Sequence, residues 1–61
     1  MQFYRLYLLN SLGKVTVGQD IESINDASAI ASAVVLASIS GRVEVWIGTR
    51  FVGLALAAPN S

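Results

Sequence analysis

A chain of 61 residues that contains neither cysteine nor histidine has to fold on its apolar residues alone. At this length a domain buries only about 60% of the surface that its unfolded chain exposes, and small folds commonly offset the shortfall with disulfides, a metal or a second subunit. The lack of cysteine closes the first route, and the lack of histidine removes the commonest zinc ligand. Association is the route that remains, and one domain is the organisation the length allows. The same two absences bear on chemistry. No side chain titrates naturally near neutrality, and the usual base for a serine nucleophile is missing. Ser23, Ser28, Ser32, Ser38 and Ser40 therefore read as capping and helix-surface hydroxyls. No catalytic residue, cofactor or metal is expected, and an enzyme ranks below a binding or interaction protein.

The composition is that of a folded chain: 54% of residues are hydrophobic and 13% charged, against a usual charged share of roughly 25%. Four basic and four acidic residues cancel, which leaves no basic footprint for nucleic acid or an acidic lipid surface. The most apolar stretch, Ala27 to Ile39, is interrupted by Ser28, Ser32 and Ser38 and falls short of the roughly 20 apolar residues that cross a bilayer. Met1-Gln2-Phe3-Tyr4-Arg5 lacks the basic start and long apolar run of a secretory signal, so a cytoplasmic protein with no membrane partner is the expectation.

Phe3 to Leu9 is rich in aromatic and branched residues, and Asn10-Ser11-Leu12-Gly13 follows it with turn formers, predicting a strand that enters a hairpin. Val15-Thr16-Val17 supplies the return strand, and the face that Val15 and Val17 join depends on a loop register the residues leave open. Gly18 to Glu22 reads as the approach to a helix. Ser23 or Asn25 is placed to cap it and Asp26 to favour the positive end of its dipole. The helix runs from Ala27 to about Ser40 and stops at Gly41. At a hundred degrees per residue, Ala29, Ile30, Ala33, Val34 and Ala37 form one apolar stripe, with Val35 and Ile39 near the serine side. Val43 to Ile47 and Phe51 to Leu56 read as two further strands joined by Gly48-Thr49, a type II′ hairpin in which Trp46 faces Phe51 and Val45 faces Val52.

The prediction is an α+β fold in the order ββαββ, with a four-stranded, mainly antiparallel sheet ordered 2-1-3-4 and one helix packed on one face. The single domain spans 1–58, and 59–61 is a flexible tail. One helix covers one face of such a sheet. Period-two alternation sends Arg5, Tyr7 and Leu9 to the other face, with Trp46 and Phe51 beside them and Glu44 at the edge. An apolar patch of that kind marks association, and Arg5, Tyr7, Leu9, Trp46 and Phe51 are the candidate interface. Asp20 and Glu22 read as solvated carboxylates, the scattered glycines as turn devices, and Arg5, Arg42 and Arg50 as surface partners of nearby acids.

Tyr4-Arg5-Leu6-Tyr7-Leu8-Leu9-Asn10, then Gly13, Asp20-Ile21-Glu22, Asp26, Ala29-Ile30, Gly41-Arg42, Glu44-Val45-Trp46 and Gly48 form an ordered series. In that series the chain resembles a family of small uncharacterised bacterial proteins that typically read Y-R-L-Y-F-L-D, G, D-L-E, D-D-E-A-I, G-R and E-L-W-Q-G. Members carry acidic residues in the helix where this chain has Ser28 and Ser32. The resemblance spans nearly the whole chain and implies the same small fold, with no activity, cofactor or catalytic residue attached to it. The function expected is a small non-catalytic interaction or regulatory module that forms a homodimer, with room for a further protein partner. The alternative is a small-ligand protein that binds an anion or aromatic compound on the sheet face, with Arg5 or Arg50 as the anion contact.

Overall fold

The structure, a computed structural model, describes residues 1–57, so the expected tail at 59–61 lies outside the described residues. Its elements are β1 (Gln2–Leu9), β2 (Val15–Ser23), α1 (Asp26–Ser40), β3 (Arg42–Ile47) and β4 (Arg50–Leu56). The strands form one antiparallel sheet in the order β2-β1-β3-β4, the order expected, with α1 on one face. β1 and β4 consequently run in the same direction on either side of β3. The molecule is a slab with extents of 31 × 26 × 14 Å. Among the described residues, no helix is long and apolar enough to cross a membrane.

The first hairpin turns on Asn10. Its side-chain oxygen accepts from the Leu12 and Lys14 N–H groups at 2.9 and 3.1 Å, and Gly13 completes the turn at φ +78°. Such a φ costs glycine almost nothing. Val17 then pairs with Leu8 but Val15 with Leu9, so Thr16 is an extra residue in β2. This bulge puts Val17 on the helix side of the sheet and Val15 on the other. β2 also corrects the predicted return strand: it continues through Gly18-Gln19-Asp20-Ile21-Glu22 to Ser23. Those residues favour turns locally, but each finds a partner on β1, and a ladder of backbone hydrogen bonds outweighs weak local preference.

Asn25 is the helix cap, its side-chain oxygen accepting from Ser28 N–H at 2.8 Å, whereas Ser23 ends buried in β2. At the other end Gly41 takes φ +100° and its N–H donates to the Ala37 carbonyl at 2.7 Å. Between the caps, Ala29, Ala33 and Ala37 are fully buried against Tyr4, Leu6, Val43, Val45 and Ala55, with Ile30, Val34 and Leu36 at the margin. α1 lies chiefly over β3 and β4 and leaves much of β2 uncovered. The second hairpin has Gly48 at φ +57° followed by Thr49 with an ordinary φ, the pattern a type II′ loop needs. Trp46 faces Phe51 as expected, but Val45 faces Gly53 and not Val52. Val52 is a second bulge. The observed register puts the residue without a side chain beneath α1, where a Cβ would stand only 3.1 Å from Ile30 Cδ1.

Candidate functional site

Residues paired across an antiparallel ladder share a face, so the pairings define what the helix leaves open. One row across the sheet reads Asp20, Arg5, Trp46, Phe51. The next reads Gly18, Tyr7, Glu44, Leu54, and the one beyond it Val15, Leu9, Arg42, Leu56. Phe3 extends the face past Arg5, opposite Glu22, and is 70% exposed. Phe51, Leu54, Leu56 and Val15 are exposed on the same face. Natural monomers rarely leave contiguous apolar surface of this kind open.

The side chains on this face hold one another in place. The Trp46 ring meets Phe51 edge to face, with centroids 5.3 Å apart, and its indole N–H donates to Glu44 Oε1 at 3.1 Å. Arg5 forms an ion pair with Asp20 across the β1–β2 ladder, its guanidinium 6.0 Å from the centre of the Tyr7 ring. The carboxylate of Asp20 holds the Arg5 guanidinium protonated even more firmly than usual. Tyr7 lies over Gly18, where a Cβ would be in contact with the ring at 3.6 Å. Phe3, Tyr4, Arg5, Tyr7, Asp20 and Gly48 line a wide, open depression of about 370 Å³ on this part of the surface.

Of the five residues predicted for the interface, Arg5, Tyr7, Trp46 and Phe51 lie together on this face. Leu9 belongs to the same face but is only 6% exposed. It sits on an inner strand between Val15 and Arg42, and these neighbours flank it from both sides. Alternation assigns a face, not an exposure, so Leu9 is a support within the chain and offers little surface to a partner. The sequence reading missed Phe3, which simple alternation from Arg5 would have found. It also missed Leu54 and Leu56, because counting by twos from Phe51 selects Gly53 and Ala55 until the bulge at Val52 is known.

A second polar cluster joins three elements. The Tyr4 hydroxyl, on a side chain 1% exposed, donates to Asp26 Oδ1 at 2.7 Å, while Arg50 donates to both oxygens of Asp26 at 3.1 and 3.3 Å. Arg50, followed by Tyr4, holds the Asp26 carboxyl below its ordinary value, and the hydrogen bond to Asp26 raises the Tyr4 phenol. Arg50 is thereby committed within the chain, as Arg5 is to Asp20. Glu22 is exposed and makes no ion pair among the described residues. On the far side of the slab Val35 and Ile39 point outward from α1, 67% and 84% exposed. Comparison with protein-family models, with curated proteins and with solved structures found no match to this chain.

Proposed function

We propose that this chain is a non-catalytic interaction module that pairs with a second copy of itself through the helix-free face of its sheet. The observation that carries the reading is the apolar surface made by exposed Phe3, Phe51, Leu54 and Leu56 around half-buried Trp46 on one side of the slab. Two features favour a second copy as the occupant. The broad side of the slab, 31 by 26 Å, is on the scale of the roughly 800 Å² per partner that a stable dimer buries. The face also carries both signs of charge, Arg5 and Arg42 with Asp20, Glu22 and Glu44, so it complements itself better than it would a strongly acidic or basic partner. Aromatic residues are enriched at interface cores, which puts Trp46 and Phe51 at the centre. Membership of the small bacterial family and a cytoplasmic setting belong to the same proposal, the first resting on the ordered motifs from Tyr4 to Gly48 and the second on a chain with no cysteine to pair.

Light scattering over a dilution series tests the reading. A dimer mass is expected, and Trp46→Ser should weaken the dimer more than Val35→Ser. Monomer mass at high micromolar concentration overturns the proposal, and a dimer more sensitive to Val35→Ser transfers the interface to the helix. The small-ligand reading has one observation behind it, the depression beside Arg5. An anion entering there has to compete with Asp20 for the guanidinium.

A further inference from the structure

We infer that the two copies meet in one specific register, in which Glu22 of each copy faces Arg42 of the other; the inference rests on the sheet-face dimer proposed above. Four of the eight charged side chains are already spent within the chain, in the Arg5–Asp20 and Arg50–Asp26 pairs, and Glu44 holds the Trp46 indole. Lys14 stands in the first hairpin loop, off the face. Glu22 and Arg42 are the remainder. Both are exposed, and neither makes an ion pair among the described residues.

Their placement is diagonal. Glu22 lies on the outermost strand β2, opposite Phe3, and Arg42 lies on β3, opposite Leu9. Phe3 and Leu9 are six positions apart on β1, a separation of about 20 Å at strand rise. The two charges therefore mark opposite ends of the face, with the aromatic pair Trp46 and Phe51 between them along the strands. A two-fold axis exchanges equivalent positions, so any contact between residue i and residue j occurs twice. A two-fold axis lying obliquely across the strands near Trp46, at right angles to the line that joins the two charges, brings Glu22 of one copy over Arg42 of the other, both times. The same rotation carries Leu56, beside Arg42, toward Phe3, beside Glu22. Opposite charges meet where apolar side chains also meet, and like charges are kept apart.

Charge reversal tests the register. Glu22→Arg, Arg42→Glu and the double exchange are compared with the wild-type chain by sedimentation equilibrium, with circular dichroism confirming the fold. Two rim pairs per dimer are disrupted in each single variant, so each is expected to raise the dissociation constant roughly tenfold at low salt. The effect should shrink in high salt, and the double exchange should return the constant to near the wild-type value. A dimer that Trp46→Ser dissolves but that ignores both charge reversals overturns the register and leaves the sheet face in place. Single variants that weaken the dimer without rescue in the double exchange also overturn it. A monomeric wild-type chain overturns register and face together.

Discussion

Asp26 is the residue on which the most separate parts of the chain converge, since its carboxylate accepts from Tyr4 on β1 and Arg50 on β4 while it opens α1. Its acid dissociation is held below the ordinary 3.8, chiefly by Arg50, and that of Tyr4 is raised above 10.0, chiefly by its bond to Asp26. The two shifts act at opposite ends of the pH scale. A lowered carboxyl contributes stability that is present above its ordinary value and lost as pH falls through the folded-state value. A raised phenol contributes stability that is present below its ordinary value and lost as pH rises through the folded-state value. Urea midpoints measured across pH are thus expected to decline below about 4 and above about 10. Tyr4→Phe should flatten chiefly the alkaline limb. Asp26→Asn should flatten both, because it removes the titrating acid and the partner of the phenol. An acid limb unchanged in Asp26→Asn would assign that limb to other carboxylates.

At the level of elements, the seating of α1 on the sheet is set by small residues on both sides. Ala29, Ala33 and Ala37 face the strands, and Gly53 lies where the Ile30 side chain reaches β4. Gly53→Val forces new methyl groups into that contact and is expected to destabilise by about 1–3 kcal/mol, read as a lower urea midpoint at unchanged slope. Stability equal to wild type would mean that Ile30 has another rotamer at no cost. The helix itself was legible from the sequence, because a cap at Ser23 or Asn25, a stop at Gly41 and an apolar stripe between them all state the same element; the structure selects Asn25. Strand order was legible too, since short connections and a single crossover leave few alternatives. The length of β2 was not, because Gly18 and Asp20 carry turn preferences that only the neighbouring β1 overrides. The bulges at Thr16 and Val52 were not either: an extra residue has no local signature, yet each one exchanges the faces of all that follows. Arg5, Tyr7, Trp46 and Phe51 were found because they precede or pair across such irregularities, whereas Leu54 and Leu56 lie beyond one.

For the molecule as a whole, a slab only 14 Å in its shortest dimension consists of one sheet and one helix with a single layer of side chains between them. Both broad sides meet solvent in the isolated chain, and pairing on the sheet side converts an outer surface into a second core. The direction of the strands has a further consequence, of a mechanical kind. β1 and β4 are parallel and β3 lies between them, so tension applied near Gln2 and near Leu56 draws β1 and β4 in opposite senses along their length. Both ladders of β3 are then loaded in shear, all their hydrogen bonds sharing the force, whereas tension between Gln2 and Ser23, paired at the open end of the first hairpin, opens that hairpin one pair at a time. Single-molecule stretching from Gln2 and Leu56 is expected to need a distinctly larger force than stretching from Gln2 and Ser23, and equal forces would show that the β3 ladders do not carry the load. A chain this small would then be strongest along its strands and weakest across its first hairpin.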